Sequence, residues 1–236
     1  MPLVIINGKD YTDYYKNILN YEKINIQEDL FYIKETILDC SNSNITELPS
    51  ILSYNITELI CANNLLHNLP DLPLTLLNLY CNLNEIVELL ELPQTLTDLR
   101  CYCNNLIALP NLPITLTNLD CGNNNLTALP NLPITLTNLD CDDNNLIKLP
   151  ELPQTLIKLS CSYNKLYELP ELPYTLDTII CNNNNIKYIS SKNFKIIKKY
   201  VMKNTRNNKS IINNPFCMNY NNDNDKDFIN EFSNLY

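Results

Sequence analysis

Residues Leu116 to Leu126 read LTNLDCGNNNL, and the same pattern returns along most of the chain. Steps of twenty residues from Cys121 reach Cys141, Cys161 and Cys181 in one direction and Cys101, Cys81 and Cys61 in the other, before one step of 21 reaches Cys40. A fixed period of this length marks stacked units, none of which buries its apolar face alone. The unit is L-x-x-L-x-C-x-x-N-x-L followed by x-x-L-P-x-L-P-x-T. One copy is filled by Leu116, Leu119, Cys121, Asn124 and Leu126, then by Leu129, Pro130, Leu132, Pro133 and Thr135. Leu119 and Cys121 alternate with Asn118 and Asp120, the period-two signature of a short strand with one face in the core. Pro130 and Pro133 lack backbone donors and fix the chain on an extended, polyproline-like path, which excludes a helix on the return leg.

These residues resemble the leucine-rich-repeat signature, and the twenty-residue length with L-P-x-L-P resembles the short type found in secreted bacterial effectors. Similar repeats occur in the Asn- and Ile-rich proteins of giant DNA viruses that infect amoebae. The resemblance runs from about Thr36 to Ser190. It implies an α/β-type repeat solenoid: a right-handed horseshoe of about eight coils, with a parallel β-sheet on the concave face, extended polyproline-like convex segments and helical caps at both ends. It also implies that the Asn of each copy bonds backbone groups of the neighbouring coil, forming a ladder. The expected domains are an N-terminal cap over residues 1–35, repeats over 36–190, a C-terminal cap over 191–212 and an Asn/Asp-rich tail over 213–236.

The ends depart from the repeat. Tyr14, Ile18 and Tyr21 recur at i, i+4, i+7 between Thr12 and Ile24, and Phe194, Ile197 and Val201 do so at i, i+3, i+7 between Lys192 and Arg206. Both stretches read as amphipathic helices that cover an end of the stack. The first repeat is degenerate, with Glu35 in place of the first Leu and Ser43 in place of the Asn, whereas Ala108 to Cys121 and Ala128 to Cys141 are identical. Beyond Pro215 the tail ends in Phe228, Phe232 and Leu235, spaced to dock on the domain or on a partner.

Net charge of -9 argues against nucleic acid or an anionic membrane as partner, because phosphate contacts need clustered Lys and Arg. The start has a short apolar run, Leu3 to Ile6, without a basic lead or a seven-residue apolar core, and no run of eighteen apolar residues follows. The expected setting is therefore intracellular and cytoplasmic, the host cytoplasm if the chain is viral, with the protein a monomer. The cysteines fall on repeat positions without paired C-x-x-C spacing, so they read as small inward-pointing filler rather than disulfides or a metal site. Cys103, just past a strand, is the exception and reads as an exposed thiol. His67, the only histidine, has no nucleophile in register with it, and two glycines cannot build a phosphate-cradling loop. No catalytic residue, metal or cofactor is expected.

Function is then sought in the variable positions that alternate with the framework and line up on the concave face. Asp120, Asp140, Asp142 and Asp143 are expected to cluster there, flanked by Asp98, Arg100 and Lys158, with Tyr80, Tyr102 and Tyr163 as aromatic anchors. Such acidic side chains suit a basic peptide, or Ca²⁺, which takes oxygen ligands. The reading is a non-enzymatic protein-interaction module, host-directed by resemblance. The alternatives are a structural or virion-associated spacer, and a substrate-recruiting adaptor for a separate ubiquitin ligase.

Overall fold

The structure is a computed structural model that describes residues 5–6, 9–10, 36–48, 56–187 and 189–197. β1 (Ile5–Ile6) and β2 (Lys9–Asp10) pair antiparallel, and the dipeptide between them, Asn7–Gly8, is the kind that tight hairpins favour. All other strands are three residues long: β3 (Ile37–Asp39), β4 (Glu58–Ile60), β5 (Asn78–Tyr80), β6 (Asp98–Arg100), β7 (Asn118–Asp120), β8 (Asn138–Asp140), β9 (Lys158–Ser160) and β10 (Thr178–Ile180). They form one parallel eight-stranded sheet in chain order, and from β4 onward each residue pairs with the one twenty positions on. The result is a leucine-rich-repeat solenoid, one coil per period.

Its core is a set of columns. Leu116, Cys121 and Leu126 are fully buried and Leu119 is 2% exposed, and the same positions are buried in every coil from Ile56 to Cys181. Each large apolar side chain so buried contributes roughly 1.5–3 kcal/mol before entropy is subtracted. The cysteines fill the same spine as free thiols. Burial pushes Cys40, Cys81 and Cys181 up to about 12, so almost no nucleophilic thiolate forms at neutral pH. Cys103 is half-buried, and its Sγ lies 3.2 Å from the Asn123 side-chain amide.

Two side-chain ladders hold the coils in register. Asn124 accepts from the Leu106 N–H (3.0 Å) and donates to the carbonyls of Cys101, Cys121 and Gly122 (each 3.1 Å). The same set recurs at Asn64, Asn84, Asn104, Asn144, Asn164 and Asn184, so the ladder implied by the resemblance is present. In the degenerate first repeat, the Ser43 N–H donates to Asn64 Oδ1 at 3.0 Å. The second ladder runs along the other edge. Thr135 Oγ1 lies 2.8 Å from Leu116 O and 2.7 Å from Ile114 O and shares its one proton between them, a pair of contacts repeated at Thr95, Thr115, Thr155 and Thr175.

The turn after each strand is made by the residue before the ladder asparagine, which adopts positive φ: Asn63 (55°), Leu83 (56°), Cys103 (52°), Asn123 (51°), Asp143 (52°), Tyr163 (51°) and Asn183 (52°). Asparagine visits this region readily, whereas a bulky residue pays about 1–2 kcal/mol. Leu83, which is 43% exposed, loses little burial on substitution. Leu83→Asn is accordingly expected to raise the free energy of unfolding by about 1 kcal/mol, read as a shift of the urea midpoint at unchanged slope.

Residues 191–197 are helical, with Phe194, Ile196 and Ile197 buried at the end of the spine. The remainder of that expected helix, the N-terminal helix of Thr12 to Ile24 and the tail from residue 213 lie outside the described residues. No helix among the described residues is long and apolar enough to cross a membrane.

Candidate functional site

The strands present two outward residues each, so parallel pairing stacks them in rows. One row is Asn78, Asp98, Asn118, Asn138, Lys158 and Thr178; the other is Tyr80, Arg100, Asp120, Asp140, Ser160 and Ile180. Between β6 and β10 these rows line a groove of about 370 Å³ on the sheet face. The groove brings together five of the residues expected there: Asp98, Arg100, Asp120, Asp140 and Lys158.

Their freedom differs. Asp98 is 9% exposed and is tied to Arg100 by two contacts of 3.3 Å, and the guanidinium in turn lies 4.6 Å above the Tyr80 ring. That pair is neutral as a unit and closes one end of the groove. Asp120 accepts only a long bond from the Gly122 N–H (3.4 Å), and Asp140 one from the Asp142 N–H (3.1 Å). Lys158 has no ion-pair partner among the described residues. A Cβ at Gly122 would stand 3.3 Å from Asp142 O and 3.4 Å from Asp140 Oδ1, a close fit beside this pair.

Other expected residues stand outside the groove. Asp142 is held at the turn, accepting from Ser160 Oγ at 2.7 Å and from the Ser162 N–H. Asp143 and Tyr163 occupy the positive-φ turn position, where both are exposed, and half-buried Tyr102 sits one residue before it. Asp120 and Asp140 therefore lie on the strand face and Asp142 and Asp143 on the turn just beyond it, and burial, together with the neighbouring Asp140 and Asp143 charges, raises the Asp142 carboxyl. The turn explains this placement: the chain leaves the sheet plane at residue 142, so only positions 120 and 140 remain on the strand face. Among the described residues no group of three or more His, Cys, Asp or Glu side chains is arranged to hold a metal ion. His67 is exposed and lies 3.1 Å from Glu85 Oε2.

A reading by charge and aromaticity passes over Asn118 and Asn138, which also line the groove. The Asn118 amide reaches Asp98 Oδ2 at 3.5 Å, and the Asn138 amide bonds Asn118 Oδ1. Only their place in the period-two row marks them.

Burial and the neighbouring Asp140 push the Asp120 carboxyl up to about 6 from an ordinary value of 3.8. Since the folded state then holds its proton more tightly than the unfolded chain, the proton-linked stability is full below about 3.8 and is lost as pH rises through about 6. Asp120→Asn removes that loss. The variant is expected to melt higher than the parent at pH 7 to 8, with the difference gone near pH 4. Equal melting shifts at both pH values contradict the assignment.

No protein-family model matches the chain, and no curated protein matches it significantly. Solved structures do. YopM of Yersinia enterocolitica is 35% identical over 62% of this chain and 38% of its own, with a TM-score of 0.52. YopM of Yersinia pestis, described as a leucine-rich effector protein, is 33% identical over 63% of this chain and 49% of its own, at 0.60. A Shigella effector leucine-rich-repeat domain is 29% identical over 70% of this chain and 75% of its own, at 0.58. The chain thus spans less than half the length of the two Yersinia proteins. The chain is a leucine-rich-repeat protein of short, 20-residue repeats, similar to the repeat domains of bacterial effectors.

Proposed function

We propose that the chain is a non-enzymatic protein-interaction module that captures a basic partner segment in the concave groove, with Asp120 and Asp140 as the charge that attracts it. The observation that carries this reading is the juxtaposition of two half-buried carboxylates, twenty residues apart and paired across β7 and β8, in an open groove whose one arginine is already neutralised by Asp98. Two acids held together on a rigid sheet remain costly until a cation arrives, so part of the binding energy is stored in the scaffold. Lys158 lines the groove beside them, and Tyr80, Tyr102, Asp142, Asp143 and Tyr163 form the rim that such a partner meets. Nothing in the groove pairs a nucleophile with a base, which fits binding rather than chemistry.

The likeness to bacterial effectors favours a host protein as the partner and the host cytoplasm as the setting. Proximity labelling in the native cell tests this, with Asp120→Lys/Asp140→Lys as the control. The expected result is a protein enriched by the parent chain and lost with the variant. Recovery of the same proteins by both chains favours the spacer reading instead, and co-enrichment of a ubiquitin ligase favours the adaptor.

A further inference from the structure

The concave groove carries both signs of charge, and only part of that charge is satisfied within the chain. At the β6 end Asp98 and Arg100 hold each other, and Asp98 also accepts from the Asn118 amide at 3.5 Å. Asn118 Oδ1 in turn accepts from the Asn138 amide, so this row is a chain of donors directed toward Asp98. The acceptor at its far end, Asn138 Oδ1, has no hydrogen-bond partner among the described residues. Asn138 and Asp140 stand on the same face of β8, and Asp140 pairs across the sheet with Asp120 of β7. Each of the two carboxylates takes a backbone N–H and no side-chain donor from the described residues. These acceptors meet in one corner of the groove, which calls for a cation.

One strand further on the sign reverses. Lys158 is exposed on β9 opposite Asn138, and it has no ion-pair partner among the described residues. Thr178 lies opposite Lys158 on β10, and its hydroxyl bonds no other described residue. Both line the same groove as the aspartates. Ser160, which stands between them in the neighbouring row, already donates to Asp142. This second corner holds donors only and calls for an anion. Lys158 stands one strand across and two residues along from Asp140. With strands about 4.8 Å apart and a rise of about 3.3 Å per residue, the two Cα positions are about 8 Å apart. A purely basic segment therefore answers the first corner and meets repulsion at the second.

We infer that the segment captured in this groove is extended and mixed in charge, with a basic side chain seated among Asp120, Asp140 and Asn138 and an acidic one, two residues away, seated on Lys158 and Thr178. The inference rests on the proposed role of the groove and adds what its partner has to carry. Alternate side chains of an extended segment share one face and lie about 6.6 Å apart, a spacing that side-chain reach fits to the two corners. Lys158 is then the residue that sets specificity: it favours a basic–acidic pair and penalises a polybasic run, so recognition includes a repulsive element as well as an attractive one.

The test selects a phage-displayed random dodecapeptide library on the immobilised full chain. Peptides in which Arg or Lys is separated by one residue from Asp or Glu are expected to be enriched. Selection on Lys158→Glu, a change at an exposed position, should replace the acid by a second base. The most enriched peptide is then synthesised with a fluorescein label, both as selected and with its acid changed to lysine. By fluorescence anisotropy that change should weaken binding to the parent at least fivefold and tighten binding to Lys158→Glu at least threefold. Polybasic peptides enriched equally by the parent and by Lys158→Glu overturn the inference and leave the groove a site for basic segments. Enrichment that ignores basic residues or survives Asp120→Lys/Asp140→Lys, or no enrichment at all, overturns that underlying reading as well. A free chain that sediments as a dimer, and as a monomer once Lys158→Glu is made, assigns the groove to a second copy and also overturns the inference.

Discussion

Asn144→Ala is expected to lower the free energy of unfolding by about 3 kcal/mol. Asn144 is 7% exposed and uses its whole amide: Oδ1 accepts from the Leu126 N–H at 2.9 Å, and Nδ2 donates to the carbonyls of Cys121 (3.1 Å), Cys141 (3.2 Å) and Asp142 (3.1 Å). Alanine leaves a buried N–H without an acceptor and strips three carbonyls of a donor. One buried unsatisfied group costs about 1–3 kcal/mol, and a carbonyl with a second lone pair engaged suffers less than an orphaned N–H. Three kcal/mol is therefore the Leu126 N–H at full cost, or that donor in part together with the carbonyls. The neighbouring Asn145→Ala supplies the comparison, because its side chain makes no hydrogen bond with another described residue and its loss is expected to stay within about 0.5 kcal/mol. Urea unfolding of both variants measures the difference. Hydrogen exchange adds the location: protection should fall first around coils β7 to β9, since coils communicate through nearest neighbours. Equal midpoints for the two variants mean that the ladder does not hold the stack.

How far such features could be read from sequence depends on whether the residue type alone performs the task. The Asn column could, because an amide that both donates and accepts is the only short side chain able to bridge an N–H and several carbonyls at one place. The threonine ladder could not. Thr135 is fixed in the unit, but its bonds to Leu116 O and Ile114 O follow from how closely one coil settles on the last, which no residue pattern states. The positive-φ position was hidden for a different reason. Asn63, Asn123 and Asn183 mark it, but in an Asn-rich chain they do not stand out, and Leu83 and Tyr163 are held there against local preference by the ladders on either side.

The same distinction governs the concave face. Period-two alternation marks two rows on the strands, whereas the third position it suggests, that of Asn82, Tyr102 and Asp142, falls past the strand end, and β6 to β10 place Asp98, Arg100, Asp120, Asp140 and Lys158 around one groove. It could not show that Ser160 and Ser162 hold Asp142 at the turn, or that Asp98 is consumed by Arg100. The first outcome depends on side chains one coil away, and so on the register of the stack; the second depends on how two side chains of one strand turn toward each other.

From this geometry comes the second large effect, on binding. Asp120→Lys/Asp140→Lys is expected to weaken capture of a basic partner at least 100-fold, or about 2.7 kcal/mol. Two unit charges about 4 Å apart interact by about 4 kcal/mol at an effective dielectric of 20, so replacing two attractions by two repulsions exceeds that figure even after solvent screening. The sheet can accept the change, because both side chains point off the strand face and neither makes an ion pair with another described residue. Calorimetric titration of the captured partner at 50 and 300 mM salt separates charge from shape. The parent's affinity should fall as salt rises, while the residual affinity of the variant should hold or improve, since screening now relieves a repulsion. Asp143→Lys changes formal charge by half as much at an exposed turn residue outside the groove, and is expected to cost less than threefold. If Asp143→Lys instead matches the double variant, the partner responds to the overall acidity of the chain, and the Asp120–Asp140 pair has no special place in recognition.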